Sequence, residues 1–163
     1  MQMQLSQKER MLLEDDKEQE ELCVQKYQSF AKQASDPELQ QLFNKLSQEE
    51  QHHYDMINQL LQGQQPNMNQ GLGSSQMGSS QMSSSMSQSS SAIFGKQGSD
   101  NDKLLCTDLL STEKYVSGAY NTGVFEAANP VIRQTLQHIQ KEEQKHGEQL
   151  FNYMHSHGMY NVK

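Results

Sequence analysis

The stretch Glu143-Gln144-Lys145-His146 decides the fold, because an equivalent stretch, Glu50-Gln51-His52-His53, stands 93 residues earlier (143 less 50). Both have the form Glu-x-x-His, and residues i and i+3 of a helix project from the same side. Each Glu and its His are therefore expected to face one point in space. The same offset relates Glu20 to Glu113 (113 less 20). Two helices that carry Glu and two that carry Glu-x-x-His are predicted to surround one site.

Apolar residues recur at intervals of three and four on four segments, which indicates four amphipathic helices. They are expected at residues 12–34, 37–62, 101–127 and 130–157. The pairs Asp36-Pro37 and Asn129-Pro130 are typical of an N-cap followed by a first helical residue, while Gly63 and Gly158 are typical of helix ends. Residues 1–10 are polar and are expected to fray.

Composition divides the chain into three parts. Residues 63–99 consist largely of Gly, Gln, Asn, Ser and Met, and they are predicted to form a flexible linker because they cannot bury enough apolar surface to become ordered. Residues 1–62 and 100–158 are predicted to form two helical hairpins, the first a diverged copy of the second. The predicted fold is all-α, a single four-helix bundle of two repeated hairpins joined by a long disordered crossover.

The heights of the four glutamates agree with a single site. Glu20 and Glu50 each lie 15 residues from residue 35 at the first turn, and Glu113 and Glu143 each lie 15 residues from residue 128 at the second. At ~1.5 Å per residue, each glutamate is about 22 Å from its turn. The four meet at mid-height if the two turns lie at opposite ends of the bundle. The sequence therefore predicts an up-down-down-up arrangement with a linker that runs the length of the bundle.

A neighbouring Glu-x-x-His frame does not repeat. Glu49 and His52 lie one residue off the apolar seam, and their counterparts are Glu142 and Lys145. A lysine is not expected to bind metal as a histidine does. The frame that begins one residue later, with Glu50 and His53, is therefore the one predicted to bind metal. The alternative is that its Glu–His pairs form a buried polar network without metal.

Two tyrosines are also matched by the repeat. Tyr27 and Tyr120 each stand seven residues after their glutamate, about two helical turns along the axis. They are interpreted as core aromatics with hydrogen-bonded hydroxyls, with a redox role near a metal pair as the alternative.

The candidate metal ligands are carboxylates and imidazoles, namely Glu20, Glu50, His53, Glu113, Glu143 and His146. This set resembles that of ferritin-like carboxylate proteins, which bind two metal ions. Carboxylates with one imidazole per metal suit iron or manganese better than metals that prefer soft ligands. Four buried carboxylates without metal or protons would be very costly. Two iron or manganese ions are therefore the predicted cofactors.

Charge and composition exclude several classes of protein. The net charge is −7 and no basic stripe is visible, which argues against a nucleic-acid partner. The first ten residues lack the apolar region of a signal peptide, and no apolar run is long enough to span a membrane. Cys23 and Cys106 are too few for a disulfide framework and are interpreted as free thiols, with cross-linking between chains as the alternative.

The second half of the chain carries a series of motifs: Asp108-Leu-Leu-Ser-Thr-Glu-Lys-Tyr115, Asn129-Pro130, Glu142-Glu143-Gln-Lys-His146, Leu150-Phe-Asn-Tyr-Met154 and Gly158-Met-Tyr160. This series resembles the coat F family of bacterial spore coat proteins over about residues 103–162. The resemblance implies a ferritin-like helical fold, synthesis in the mother-cell cytoplasm and deposition in the spore coat among other coat proteins. The family is generally described as structural, so the resemblance implies no activity.

The predicted function is therefore a non-catalytic structural component of the spore coat with a two-metal site. The alternative is a di-iron or di-manganese redox protein that acts on peroxide or O2, resembling rubrerythrin or manganese catalase in its core. A third interpretation is an adaptor whose linker binds partners. Self-association into a homo-oligomer is left open.

Overall fold

The computed structural model describes residues 3–69 and 99–163, and these residues form four α-helices. The helices are α1 (Gln7–Gln33), α2 (Pro37–Leu61), α3 (Asp100–Glu126) and α4 (Pro130–Ser156). Each helix contacts its hairpin partner extensively, and α1 also contacts α3 while α2 contacts α4. The prediction of an all-α, ferritin-like four-helix bundle built from two hairpins is confirmed.

The helix boundaries follow the capping residues, with one difference from the sequence-based prediction. Asp36 and Asn129 cap α2 and α4 with their side chains, as predicted. Helix α1, however, begins at Gln7 rather than near residue 12. The Ser6 side chain accepts a hydrogen bond from the Glu9 backbone, and the Glu9 side chain accepts one from the Ser6 backbone. This capping box starts the helix inside the polar segment that was expected to fray.

The helix ends that glycine was predicted to set are confirmed. Gly63 and Gly158 have φ angles of 74° and 70°, which lie in the left-handed region that residues with a Cβ seldom adopt. Gly63 follows α2 and Gly158 follows α4, so equivalent signals end the second helix of each hairpin.

In each hairpin, one buried acid accepts hydrogen bonds from the turn of the other hairpin. Glu9, at the start of α1, accepts hydrogen bonds from the backbone N–H groups of Ala128 and Asn129 at the α3–α4 turn. Asp102, the equivalent residue of α3, accepts hydrogen bonds from the N–H groups of Ser35 and Asp36 at the α1–α2 turn. The two turns therefore lie at opposite ends of the bundle, and the predicted up-down-down-up arrangement is confirmed.

We expect Glu9→Ala to lower the free energy of unfolding by about 1–3 kcal/mol, the usual cost of leaving buried polar groups without a partner. Its Oε1 atom lies 2.9 Å from Ala128 N and 2.8 Å from Asn129 N, and no alanine atom replaces it. Urea denaturation of the full chain measures the change. Glu14→Ala is the matched control, because Glu14 is an exposed acid of the same helix. Equal losses in the free energy of unfolding for the two variants would contradict a stabilising role for the hydrogen bonds between Glu9 and the α3–α4 turn.

The hydrophobic core is divided into two clusters. One cluster contains Tyr27, Phe43 and Leu150, and the other contains Leu13, Tyr120 and Leu136. Both cysteines are free and buried in the core, at 2% and 0% exposure, so neither is placed to form a cross-link between chains.

The first residues after α2 lie against the bundle. The Met3 backbone N–H donates a hydrogen bond to the Gly63 carbonyl, Pro66 is buried, and Met68 packs against the second core cluster. The predicted flexible linker otherwise falls on residues 70–98, which lie outside the described residues. None of the four helices is long and apolar enough to cross a membrane.

Candidate metal centre

All four helices contribute to one buried polar site. Helices α1 and α3 each provide a glutamate, and α2 and α4 each provide a glutamate and a histidine one turn apart. The structure brings together the complete predicted set, which is Glu20, Glu50, His53, Glu113, Glu143 and His146. Each of these side chains is at most 4% exposed. The equal distances from the two turns therefore do place the four glutamates at a common height.

The six residues form two overlapping groups of four. Within each group, one nitrogen or oxygen atom of every residue lies within 4.8 Å of the others. The first group contains Glu20 and His53 together with Glu50 and Glu143. The second group contains the same Glu50 and Glu143, with the equivalent residues of the repeat in place of the other two. Two of the four carboxylates are thus common to both groups.

The shared carboxylates each face both histidines. His53 Nδ1 lies 3.2 Å from Glu50 Oε2 and 3.2 Å from Glu143 Oε1. The remaining oxygens, Glu50 Oε1 and Glu143 Oε2, lie 3.2 Å and 3.3 Å from His146 Nδ1. The two imidazole rings are nearly parallel, with centroids 5.3 Å apart. Each shared carboxylate therefore presents one oxygen to each half of the site.

Two further carboxylates orient the histidines. His53 Nε2 lies 2.8 Å from Glu142 Oε2, and His146 Nε2 lies 2.8 Å from Glu49 Oε2. A histidine that donates its Nε2–H outwards keeps the lone pair of Nδ1 for the centre, which is the usual arrangement of metal-binding histidines. Sequence reasoning did not assign this role to Glu49 and Glu142, although their identity within the repeat was a signal for it.

The matched tyrosines hold the two unshared glutamates. The Tyr27 hydroxyl donates a hydrogen bond to Glu113, and the Tyr120 hydroxyl donates one to Glu20. Burial and the neighbouring carboxylate raise the pKa of each tyrosine well above its usual value, so both hydroxyls stay protonated. The interpretation of core aromatics with hydrogen-bonded hydroxyls is confirmed. In each case the bond runs from one hairpin to the other.

The carboxylates differ in how readily they ionise. Burial raises the pKa of Glu20 and Glu113 well above the usual value, and the negative charge of Glu143 adds to the effect. Burial acts in the same direction on Glu143, but His53 and His146 outweigh it and lower the pKa of this carboxyl well below its usual value. The unshared carboxyls therefore tend to hold protons while the shared ones are ionised.

The neighbouring carboxylates also change the pKa of the two histidines. Burial acts to lower the pKa of both imidazoles, but hydrogen-bonded carboxylates outweigh it and raise the pKa of His53 and His146 well above the usual value. Burial and Glu143 act to raise the pKa of Glu50, and hydrogen bonds from the two histidines lower it. Without a cation, the site is therefore balanced by protons on its imidazoles and on its unshared carboxyls.

The donor set of the cluster suits metal ions. Oε2 of Glu20 and Oε2 of Glu113 are buried and accept no hydrogen bond. Buried polar atoms are nearly always paired, so two oxygens without a donor indicate a partner other than the protein. Oxygen and imidazole nitrogen are the donors that iron and manganese bind. The buried carboxylate and histidine cluster is therefore able to bind metal ions.

Comparison with known proteins agrees with this geometry. Residues 101–163 match the Coat F domain family, and residues 9–85 match the rubrerythrin family. The chain is 36% identical over 63 residues to the uncharacterized protein YusN of Bacillus subtilis (strain 168). That similarity covers 39% of the chain and 57% of YusN, so the chain spans little more than half the length of this relative.

No solved structure matches the chain. Its fold class therefore rests on the four-helix arrangement and on the rubrerythrin match, which together show a ferritin-like bundle. The Coat F match over residues 101–163 agrees with the resemblance drawn from the motifs of α3 and α4.

Proposed function

We propose that the chain is a structural component of the spore coat whose bundle binds two iron or manganese ions. The observation that carries the proposal is the sharing of Glu50 and Glu143 by two ligand groups. A carboxylate that faces two sites with separate oxygens is suited to bridge two ions, and paired ions of this kind are typical of ferritin-like bundles.

Each residue of the site then has a defined task. Glu20 and Glu113 would hold one ion each, and the hydrogen bond from a tyrosine fixes each of these carboxylates in place. His53 and His146 would also hold one ion each. Because all these side chains are nearly or fully inaccessible, the bundle excludes water from the ions. When bound, iron or manganese would supply the capacity to exchange electrons by changing oxidation state.

The proposed place in the coat rests on the Coat F match, and an uneven surface supports it. Five large apolar side chains on the helices are more than half exposed, and they are Met11, Leu22, Leu104, Tyr115 and Phe125. All five lie on α1 and α3, while no such side chain is exposed on α2 or α4. Exposed apolar surface of this kind is used for protein contacts. We assign the surface to neighbouring coat proteins.

A redox function is the second candidate. The rubrerythrin match over residues 9–85 and the complete set of six ligands favour it. In that case the protein would act on peroxide or O2 with the redox chemistry that bound iron or manganese supplies, and the shared carboxylates would hold the ions. The two candidates differ in catalytic turnover: the structural function requires none, and the redox function requires turnover of peroxide or O2.

We expect the full chain, produced during sporulation in an endospore-forming host, to be recovered in the coat extract. A variant with Glu50→Ala and Glu143→Ala should reach the coat in the same amount, because its outer surface is unchanged. Fractionation with immunodetection measures deposition, and peroxide consumption by the metal-loaded protein measures turnover.

Absence of the native chain from the coat would contradict the structural function. Peroxide removal that the double variant loses would instead support the redox candidate. Circular dichroism of the variant guards against a folding defect, since an unfolded chain would fail both assays for another reason.

A further inference from the structure

A further group of metal-ligating side chains lies at one end of the bundle. One nitrogen or oxygen atom each of Asp36, Glu38 and His157 lies within 4.8 Å of the others. Asp36 caps α2 and Glu38 lies in its first turn, while His157 caps the C-terminal end of α4. Asp36 precedes Glu50 of the core centre by 14 residues (50 less 36), which is about 21 Å of helix. The group is therefore separate from the centre, and it joins the turn of the first hairpin to the end of the second.

The distances within this group fit a zinc ion better than a direct ion pair. His157 Nε2 lies 3.5 Å from Asp36 Oδ2 and 3.5 Å from Glu38 Oε2. Charge-assisted hydrogen bonds between nitrogen and oxygen are shorter, at about 2.7–2.9 Å. Two ligand atoms of a tetrahedral zinc ion, each bound at about 2.1 Å, lie about 3.4 Å from one another. The nitrogen is thus spaced from both oxygens as one zinc ligand is spaced from another.

The imidazole of His157 is held with Nε2 towards the two carboxylates. Its Nδ1–H donates a hydrogen bond to the backbone carbonyl of Tyr153 at 2.8 Å, and its ring stacks on the Tyr153 ring with centroids 4.0 Å apart. A carbonyl oxygen only accepts hydrogen bonds, so Nδ1 carries the proton and Nε2 of the neutral imidazole keeps its lone pair. A histidine fixed in this way by its other nitrogen is the usual form of a metal ligand.

Tyr153 positions the aspartate as well. Its hydroxyl donates a hydrogen bond of 2.8 Å to Asp36 Oδ2. Burial and this hydrogen bond raise the pKa of Tyr153, so the hydroxyl stays protonated and continues to donate. Asp36 Oδ1 accepts a hydrogen bond from the Glu38 backbone N–H at 3.0 Å. A carboxylate oxygen has a second lone pair, so the bond from Tyr153 fixes Oδ2 and leaves it able to bind an ion.

The internal repeat shows that the fold does not require these ligands. At the offset of 93, the equivalents of Asp36, Glu38 and His157 are Asn129, Val131 and Gln64. None of the three equivalents is a carboxylate or an imidazole. Asn129 nevertheless caps α4 as Asp36 caps α2, by accepting a hydrogen bond from the backbone N–H two residues later. A neutral amide therefore serves as the cap, and the three ligands occur together at one end of the repeat only.

We propose that Asp36, Glu38 and His157 bind a zinc ion that clamps the end of α4 to the start of α2. Carboxylates and imidazole are zinc ligands, and a zinc ion with three protein ligands completes its tetrahedron with water. The side chain of Glu38 is 69% exposed, so the ion reaches the group directly from solvent. The inference does not depend on the two-metal centre, because the two sites share no ligand.

The proposed clamp acts on a segment that completes the core. Two residues after His157, Met159 is buried in the core cluster that contains Tyr27 and Leu150. The Met159 backbone N–H donates a hydrogen bond to the Met154 carbonyl at 2.8 Å. Helix ends open locally at a lower free energy than the core. An ion that holds His157 to α2 should therefore make the local opening of residues 157–159 less frequent.

The test replaces the three ligands by the residues that the repeat carries at the other end. This triple variant is Asp36→Asn, Glu38→Val and His157→Gln, and circular dichroism checks that it keeps its helicity. The full chain is equilibrated with Zn2+ at low micromolar concentration, and the zinc content per chain is measured. His155→Gln is the matched control, because His155 is an exposed imidazole two residues earlier on the same helix.

We expect the triple variant to bind about one zinc ion fewer than the native chain, and the control to bind the native amount. This difference holds whether or not the core centre takes zinc, because the centre is unchanged in all three proteins. Hydrogen exchange measured by mass spectrometry gives a second readout. With free Zn2+ tenfold above the dissociation constant, exchange in residues 157–159 should slow roughly tenfold in the native chain and not in the triple variant.

Equal zinc contents of the native chain and the triple variant would overturn the proposal. A loss of the same size in the His155 control would do so too, because it would show general binding by surface imidazoles. Exchange in residues 157–159 that does not respond to Zn2+ would overturn the clamp. Failure of the two-metal centre looks different, since the triple variant would then lose all the zinc that the native chain binds. If the triple variant loses helicity, His157→Gln alone gives the same comparison with the Asp36 cap intact.

Discussion

Replacement of Glu50 or Glu143 by alanine is expected to abolish the binding of both metal ions. Each of these carboxylates belongs to both ligand groups, so its removal deprives two sites of an oxygen at once. Replacement of Glu20 or Glu113 should have a smaller effect, because each belongs to one group. We expect about two ions per native chain, close to none in the first pair of variants and about one in the second pair.

Metal analysis of protein purified with iron or manganese supplied under reducing conditions measures these contents. Glu148→Ala is the matched control, because Glu148 is an exposed acid on the same helix as Glu143. A native content near zero would contradict the two-metal centre. Equal losses in all four variants would contradict the division into shared and unshared carboxylates, even if metal is bound.

The centre was predictable from sequence because a repeat carries more information than a motif. A single Glu-x-x-His is compatible with many surface helices, but its recurrence at an offset of 93 also relates Glu20 to Glu113 and Tyr27 to Tyr120. Equal distances from the turns then fix a common height, since helix rise is nearly constant. The height of a residue along the bundle depends only on the course of the helical backbone, and amphipathic periodicity predicts helices well.

The supporting residues were not predicted, because their roles depend on contacts between helices. Glu49 and Glu142 lie one residue off the apolar seam, where a solvated side chain is the ordinary expectation. Their long side chains reach across the interface of α2 and α4 to a histidine of the facing helix. Glu9 likewise reads as a polar residue near a chain end until the opposite turn is placed beside it. Helical periodicity carries no information about such partners.

The metal-free protein is expected to lose stability as pH rises, and the metal-loaded protein is expected to gain it. Burial, reinforced by Glu143, raises the pKa of Glu20 and Glu113, so these carboxyls hold protons in the folded state that the unfolded chain releases near pH 4.5. The folded state therefore becomes less stable as pH rises from about 4.5 towards the raised pKa values. In this range the unfolded chain has released these protons, while the folded protein still binds them.

The two histidines also make the metal-free protein less stable as pH rises. Carboxylates raise the pKa of His53 and His146 in spite of burial, so their contribution to stability is fully present below the ordinary histidine pKa of 6.5 and is lost as pH rises through the raised values. Glu50 and Glu143 have lowered pKa values and act oppositely, since their contribution is present above 4.5 and is lost at more acid pH. The metal-free bundle should therefore be most stable near about pH 4.5 and should weaken as pH rises from there, more steeply above about 6.5.

Metal ions reverse this dependence because they take the place of the protons. Binding requires deprotonated carboxylates and neutral imidazoles, so metal affinity rises with pH while the metal-free bundle weakens. Thermal unfolding at pH 6 and pH 8, with a chelator or with Mn2+ in excess, should therefore give two curves that diverge as pH rises. A stabilisation of about 4 kcal/mol is expected when free metal exceeds the dissociation constant a thousandfold. Parallel curves would mean that Mn2+ binds at the surface, where it displaces no buried proton. A variant with Glu50→Ala and Glu143→Ala should give such parallel curves even if the native chain does not, because it no longer holds the ions that exchange with those protons.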